Sequence, residues 1–256
     1  MNLEAQLRAG RARGRKLLVP YVTGGLGREW PDVIRAVVAA GADAVEVGIP
    51  FSDPIMDGRT IQEASQRALE IGATPVGVID EMATLDVDAP LVVMTYYNIV
   101  ARMGHERCAT HLRNAGVDGA IVPDLPYDEL DGWGDAADAA GVETVLLAAP
   151  TTPDDRLAAI CDRSRGFVYG VSLLGVTGER AELAAHAQEM GRRCKAMTDK
   201  PVLVGVGIST PDQAAAAAAS ADGVIVGSAL IRRLLDGGGP DEAAAFVTSL
   251  RSALDR

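Results

Sequence analysis

A short unit of helix followed by strand recurs along the chain. In three copies, at 40–48, 115–122 and 140–147, a helical stretch ends in alanine and glycine, and an apolar run follows directly. A looser fourth copy covers residues 221–227. Glycine just after a helix is typical of a left-handed cap, and near-continuous apolar strands are typical of parallel strands buried on both faces. The pattern therefore predicts a series of βαβ units.

Eight apolar runs are candidate strands, and helical patterns fill the intervals between them. The strands are predicted near 17–22, 43–49, 91–96, 118–123, 142–148, 166–172, 202–206 and 222–227. Helices are predicted at 31–40, 60–71, 106–115, 154–161 and 211–219, with room for two between strands two and three, and residues 237–240 are expected to join two terminal helices. Eight such units favour a closed (β/α)₈ TIM barrel with extra helices, as a single domain over 1–256. A doubly wound open sheet is the alternative, because periodicity does not show closure.

The composition fits a folded enzyme and excludes several other classes of protein. The 256 residues are 48% hydrophobic, and the net charge of −11 argues against a broad nucleic-acid surface. No apolar run approaches the roughly 20 residues that span a bilayer, and the N-terminus lacks the order of a signal peptide. The three cysteines form no CxxC pair and the three histidines no HExxH motif, so neither a zinc site nor a disulfide framework is expected. We therefore expect a cytoplasmic protein without a metal.

Two acidic residues near the end of the second strand are candidates for catalysis, since barrel enzymes carry their active sites at the carboxyl ends of the strands. Glu46 lies inside the apolar run, and Asp57 lies in the following loop, after Asp53. Glu46 is either a general acid/base with a pKa raised by apolar surroundings, or a residue that faces a helix and pairs with Lys or Arg. Asp before Gly or Pro is also a common turn feature, so Asp57 and Asp53 have a structural alternative.

Glycine-rich turns follow the last two predicted strands. Gly205-Val206-Gly207 follows strand seven, and Gly227-Ser228 follows strand eight. Barrels often bind phosphate in these two loops, where glycine lets backbone N–H groups at a helix N-terminus approach the anion. Tight turns without a ligand are the alternative interpretation.

Other residues near the strand ends allow two interpretations each. The segment at 173–180, with two glycines, is either a mobile lid or an ordinary connector. Four tyrosines either line an aromatic pocket or pack in the core, namely Tyr21, Tyr96, Tyr97 and Tyr169. Asn98 and Asp124 either orient loops or touch a substrate.

These motifs together resemble the tryptophan synthase alpha subunit family. The main match is the stretch VEVGIPFSDP at 45–54, followed by Asp57-Gly58 and by TIQ at 60–62. Further matches are GVTG at 175–178, GVGIS at 205–209, PDQ at 211–213 and GSA at 227–229. They occur in the order of the family and cover nearly the whole chain.

The resemblance implies a lyase of tryptophan biosynthesis that cleaves indole-3-glycerol phosphate into indole and glyceraldehyde 3-phosphate by retro-aldol-type chemistry, with no metal or organic cofactor in this chain. Glu46 would be the acid/base glutamate that moves the proton at indole C3, and Asp57 would bind the indole N–H. Thr177 would hydrogen-bond Asp57 when the loop closes, and Tyr169 would line the substrate site. The phosphate would be held by Gly178, Gly207, Gly227 and Ser228.

The resemblance also implies a partner, a β subunit that carries pyridoxal phosphate and takes up indole in a heterotetramer. Two departures from the family pattern flank the loops concerned with closure and with that partner: Arg59 replaces a usual proline, and Leu173-Leu174 precedes the GVTG motif where Arg-Ala is common. Three alternatives stay open. They are a free-standing lyase that releases indole, a phosphosugar isomerase in which Glu46 only shuttles a proton, and a barrel without catalysis, against which the intact Glu46 and Asp57 speak.

Overall fold

Parallel strands close into a barrel in a computed structural model of the chain. The structure describes residues 2–171, 180–205 and 207–256, with residues 180–186 described by their backbone alone. Within these ranges eight strands pair in sequence order, and the eighth pairs with the first. They are β1 (Leu17–Thr23), β2 (Val45–Gly48), β3 (Leu91–Met94), β4 (Val117–Ile121), β5 (Glu143–Ala148), β6 (Val168–Val171), β7 (Val202–Gly205) and β8 (Gly223–Val226). The closure confirms the predicted (β/α)₈ barrel and excludes the open sheet.

Helices surround the barrel, and the described residues contain twelve. They are α1 (Leu3–Ala12), α2 (Trp30–Ala39), α3 (Arg59–Glu70), α4 (Pro75–Met82), α5 (Tyr97–Met103), α6 (His105–Asn114), α7 (Asp131–Ala140), α8 (Asp154–Arg163), α9 (Arg180–Met197), α10 (Pro211–Ala218), α11 (Ser228–Leu235) and α12 (Pro240–Leu254). The five helices predicted from the sequence are confirmed within two residues at each end. Two helices lie between β2 and β3, and residues 237–240 join α11 to α12, both as predicted.

Local signals explain where several elements begin and end. The glycines of the repeated unit have positive φ, at 103° for Gly41, 78° for Gly116 and 75° for Gly141, which confirms the predicted left-handed caps. Thr210 caps α10 through its side chain, which accepts from the Gln213 N–H, while the Gln213 side chain bonds back to the Thr210 backbone. These short-range signals are readable from sequence, which is why the helix boundaries were predicted well.

Alternate residues of the strands fill the barrel interior. Apolar side chains from or beside every strand form one cluster there, which also includes Leu3 and Leu7 of α1. Gly119 in β4 leaves the space that Leu3 occupies, since a Cβ at Gly119 would lie 2.7 Å from the Leu3 Cδ2 atom. The apolar filling and α1 thus close the amino end of the barrel, and the carboxyl end remains the open one.

Aspartates at the amino ends of strands join neighbouring strands to charged side chains. Asp222 is buried, and its Oδ2 atom accepts from the Val202 N–H at 2.9 Å while Oδ1 accepts from Lys195 Nζ at 2.8 Å. Asp43 and Asp118 make equivalent bonds to the N–H groups of Leu18 and Leu91. These aspartates occupy the same place in three copies of the repeated unit, so each has a structural role.

Replacing Asp222 with alanine is expected to lower the free energy of unfolding by about 3 kcal/mol, because the Val202 N–H and the Lys195 ammonium lose a buried partner. The midpoint of urea-induced unfolding measures this loss. Asp199→Ala is the matched control: Asp199 pairs with Arg8, but its side chain is 85% exposed, and such pairs contribute at most about 1 kcal/mol. Equal effects of the two substitutions would contradict the role given to Asp222.

Candidate active site

A cavity of about 470 Å³ opens at the carboxyl ends of the strands. Its walls come from all eight strands or from the loops that follow them. The lining residues discussed below are Tyr21, Glu46, Met56, Asp57, Met94, Ile121, Leu147, Tyr169, Gly205, Gly207, Ile208, Ile225, Gly227 and Ser228. The volume lies in the range of small-molecule sites in proteins. The sequence motifs that were singled out separately therefore meet in one place.

Glu46 lies on β2 with its carboxyl group at the cavity wall. The residue is 1% exposed, and among the described residues its Oε2 atom has no hydrogen-bond partner. Burial, and secondarily the charge of Asp57, raise the pKa of Glu46 from 4.5 to about 8. This placement favours the acid/base interpretation over an ion pair on a helix-facing side. A carboxyl group in this environment keeps its proton at neutral pH and is able to donate it.

Asp57 lies in the loop between β2 and α3, on the same side of the cavity mouth. Its Oδ2 atom accepts a hydrogen bond of 3.1 Å from the Tyr96 hydroxyl. Burial raises the pKa of Asp57 to about 6, although the bond from Tyr96 opposes the rise. Asp57 is therefore mostly charged at neutral pH, when Glu46 is mostly protonated. Two carboxyl groups with separated pKa values can divide the roles of proton donor and fixed anion.

Tyr21 and Tyr169 flank the carboxyl groups, each lying over a glycine of the next strand. A Cβ at Gly48 would collide with the Tyr21 hydroxyl and ring, and a Cβ at Gly205 would lie 2.7 Å from the Tyr169 hydroxyl oxygen. Both tyrosines line the cavity, as the aromatic-pocket interpretation expected. Tyr97 does not: its hydroxyl lies 3.0 Å from His105 Nε2, away from the cavity.

The glycine turns after β7 and β8 border the other side of the cavity. Gly207 has a φ of 63°, a left-handed conformation that favours glycine. Gly227 precedes α11, and Ser228 is its first residue, so the first N–H groups of this helix lie at the cavity wall. Such N–H groups lack partners within the helix and carry partial positive charge. The arrangement suits an anionic group of a ligand.

The remaining residues considered from the sequence fall into two groups. Thr177, Gly178 and Leu173-Leu174 lie outside the described residues. Asp53 is exposed and accepts from the Ser52 hydroxyl, which is a local contact. Asp124 accepts from the Tyr97 N–H at 2.8 Å and so joins the segment after β4 to the start of α5. Asn98 is exposed on α5, and Arg59 is the exposed first residue of α3.

Sequence reasoning did not single out the apolar wall of the cavity. This wall consists of Met94, Ile121, Leu147, Ile208 and Ile225. Ile121 and Ile225 belong to the apolar cluster that fills the barrel interior, and Met94 and Leu147 pack against that cluster. Counting alternate positions along each predicted strand would have found them. A wall of this kind suits a flat apolar ring.

Several features of other protein classes are missing from the described part of the chain. No group of His, Cys, Asp or Glu there is arranged to hold a metal ion, and no helix there is long and apolar enough to cross a membrane. Cys108, Cys161 and Cys194 are buried free thiols.

Comparison with known proteins agrees with the geometry. Residues 7–252 match the family model described as tryptophan synthase alpha chain. The tryptophan synthase alpha chain of Thermobifida fusca is 43% identical, over 98% of this chain and 96% of that protein, and the one of Streptomyces coelicolor is 44% identical, over 95% and 91%. A structure of Mycobacterium tuberculosis tryptophan synthase superposes with a TM-score of 0.89 at 38% identity, covering 98% of this chain and 97% of that one. The chain belongs to the tryptophan synthase alpha chain family.

Proposed function

We propose that the chain cleaves indole-3-glycerol phosphate into indole and glyceraldehyde 3-phosphate, with Glu46 and Asp57 as the catalytic residues. The observation that carries the proposal is the pair itself: the buried carboxyl group of Glu46, whose Oε2 atom has no partner among the described residues, lies with Asp57 at the wall of one cavity lined by apolar side chains and glycine turns. Burial raises the pKa of Glu46 to about 8 and that of Asp57 to about 6, so Glu46 is the proton donor and Asp57 the anion at neutral pH. Cleavage needs a proton at C3 of the indole ring and an anion near the ring nitrogen. The pair supplies both.

The proposed reaction returns both carboxyl groups to their starting state. Glu46 donates its proton to C3, which places positive charge on the ring and its nitrogen. The Asp57 carboxylate accepts the ring N–H and stabilises that charge. The bond from C3 to the hydroxyl-bearing carbon then breaks, its electron pair restores the aromatic ring, and the hydroxyl proton passes to the Glu46 carboxylate. The products are indole and an aldehyde, and no water or cofactor is consumed.

The cavity walls support one orientation of the substrate. The indole ring would lie against Met94, Ile121 and Leu147, with Tyr169 beside Leu147 on the neighbouring strand β6. The phosphate would bind at Gly207, Gly227 and Ser228, where the N-terminus of α11 favours an anion, and Thr177 and Gly178 would complete the site from the segment after β6. The phosphate contacts fix the position of C3 and leave the chemistry to the carboxyl groups.

The proposal includes a β subunit as partner, in a heterotetramer in which pyridoxal phosphate belongs to the β subunit alone. Family membership supports this part, since the relatives are named as chains of tryptophan synthase. The three buried free thiols fit a reducing compartment, so the cytoplasm is the location that we propose. We also propose that residues 1–256 form a single domain.

The direct test measures indole release from indole-3-glycerol phosphate by the purified chain, alone and with a β subunit, beside Asp57→Asn. We expect release by the wild type, an increase on adding the β subunit, and a loss of about 10²-fold in Asp57→Asn, because the anion at the ring nitrogen is gone. Release without any β-subunit effect favours a free-standing lyase. No release even with the partner overturns the proposal in favour of an isomerase or a barrel without catalysis.

The pH profile of kcat/KM is expected to be bell-shaped. Activity falls as the pH drops through about 6, because Asp57 becomes protonated, and as the pH rises through about 8, because Glu46 loses the proton it must donate. Asp57→Asn should abolish the acid limb and keep an alkaline limb that moves to lower pH, because the charge of Asp57 contributes to the raised pKa of Glu46. An acid limb that persists in Asp57→Asn belongs to the phosphate of the substrate, whose second pKa also lies near 6, and contradicts the assignment to Asp57.

A further inference from the structure

Tyr96 lies behind Asp57 and joins two parts of the loop that carries it. The residue directly precedes α5, is 3% exposed, and its hydroxyl donates to Asp57 Oδ2 at 3.1 Å. The same hydroxyl accepts from the Met56 N–H at 3.0 Å. Met56 and Asp57 line the cavity, whereas Tyr96 is not among its lining residues. Tyr96 therefore acts on the site only through its neighbours.

The ring of Tyr96 is itself held in place. It stacks on Phe51, with the ring centroids 4.9 Å apart and an angle of 26° between the planes. Phe51 belongs to the same β2–α3 loop as Asp57, so the loop contacts Tyr96 at both ends. The Tyr96 phenol thus joins the loop to the end of β3, in addition to the loop's own turn from Asp57 N–H to Pro54 O and the bonds that the Gln62 side chain donates to it.

We propose that Tyr96 is a positioning residue for Asp57. The Tyr96 hydroxyl orients the Asp57 carboxylate toward the ring nitrogen of the substrate, and it also holds the β2–α3 loop at the end of β3. This inference rests on the proposed function for the catalytic effect, although the positioning itself is a property of the protein without substrate. The phenol serves both bonds at once, because it donates to the carboxylate and accepts from the backbone.

The bond from Tyr96 also favours the charged form of Asp57. It lowers the pKa of Asp57 against the larger opposing effect of burial. The charge of Asp57 raises the pKa values of three neighbouring groups, Tyr21 on β1, Glu46 on β2 and Tyr169 on β6, and the charge of Asp124 after β4 raises the pKa of Tyr96. Tyr21, Glu46 and Tyr169 are uncharged in the range where Asp57 titrates, so Asp57 alone sets the acid limb among them.

The test compares Tyr96→Phe with Tyr97→Phe, two neighbouring tyrosines that each lose one hydroxyl and its hydrogen bonds. Phenylalanine at 96 keeps the stacking on Phe51, but Asp57 loses its donor. We expect kcat/KM for indole release to fall about tenfold, mainly through kcat, and the acid limb to move to higher pH. Tyr97→Phe loses its bond to His105, which lies away from the cavity, and should keep the wild-type profile. An unmoved acid limb in Tyr96→Phe overturns the proposal.

A second measurement does not depend on activity, and part of it uses the wild-type protein alone. Aspartate labelled with ¹³C at the carboxyl carbon reports the titration of Asp57, identified by the signal missing from Asp57→Asn. In the wild type, the Tyr96 ring signal should change over the same pH range as the Asp57 signal, and Tyr96→Phe should move the Asp57 titration upward. A Tyr96 ring signal that stays unchanged while Asp57 titrates overturns the positioning role. Loss of indole release in the wild type would instead overturn the proposed function and leave this result standing.

Discussion

Glu46→Gln is expected to abolish most of the indole release and, at the same time, to make the protein more stable. Activity should fall about 10³-fold, because glutamine cannot donate the proton that C3 needs. Stability should rise because the fold keeps the Glu46 carboxyl group buried, without a partner on Oε2 among the described residues. A buried carboxyl group in this position lowers the stability of the fold at every pH at which the same group would be ionised in the unfolded chain.

The sign of the stability change follows from the raised pKa of Glu46. Below pH 4.5 the group is protonated in both folded and unfolded chains, so glutamine offers little advantage. As the pH rises from 4.5 to about 8, the unfolded chain ionises while the folded chain resists, and the wild type loses stability. Each pKa unit corresponds to about 1.4 kcal/mol, so Glu46→Gln should be more stable by about 4 kcal/mol at pH 8.

Urea-induced unfolding of the wild type and Glu46→Gln at several pH values measures this difference. Glu63→Gln is the control, because Glu63 lies on the surface of α3, paired with Arg232, and should change neither activity nor the pH dependence of stability. A stability difference that is constant between pH 4.5 and 8, or that favours the wild type, would show that Glu46 is not held protonated.

Gly48→Ala is expected to damage both the fold and the site. A Cβ at this position would collide with the Tyr21 hydroxyl and ring, so the ring must leave its place. Tyr21 packs against Ile61 and Ile231, and these contacts would be lost. Forcing extra atoms into a packed site costs about 1–3 kcal/mol, and a displaced ring beside Glu46 should lower kcat/KM by about 10²-fold.

Thermal unfolding and indole release together check this prediction. Gly58→Ala is the matched control for stability on the same chain segment, since a Cβ there would meet open space and its φ of −71° suits any residue. The double variant Gly48→Ala/Tyr21→Leu replaces the tyrosine ring with a smaller side chain, and it should recover part of the lost stability but not the activity. Full stability of the single variant Gly48→Ala would contradict the close approach of Tyr21 to β2.

The barrel was predictable because its signals are local. Three copies of the repeated unit carry a helix end, a glycine cap and an apolar strand, and eight apolar runs separated by helical patterns leave few architectures. Glu46 and Asp57 were predictable as candidates for a related reason. A carboxyl group inside an apolar run conflicts with the pattern around it, and such conflicts often mark functional sites. Their placement at one cavity follows from the strand order, but their catalytic roles stay a proposal.

The contacts between distant parts of the chain were not predictable in the same way. The bond from Tyr96 to Asp57 joins two loops 39 residues apart, and its existence depends on the register of β2 against β3. The four tyrosines near strand ends looked alike from the sequence. Tyr21 and Tyr169 lie within β1 and β6 and line the cavity. Tyr96 and Tyr97 lie beyond the end of β3, at the start of α5, and are not among the lining residues.

A ¹³C NMR titration of carboxyl-labelled glutamate tests most directly whether Glu46 carries a proton at neutral pH beside a charged Asp57. We expect one glutamate carboxyl group that titrates near pH 8 and is missing from Glu46→Gln. If instead the glutamate signal that is missing from Glu46→Gln titrates near the ordinary value of about 4.3, Glu46 is charged at neutral pH and cannot be the proton donor.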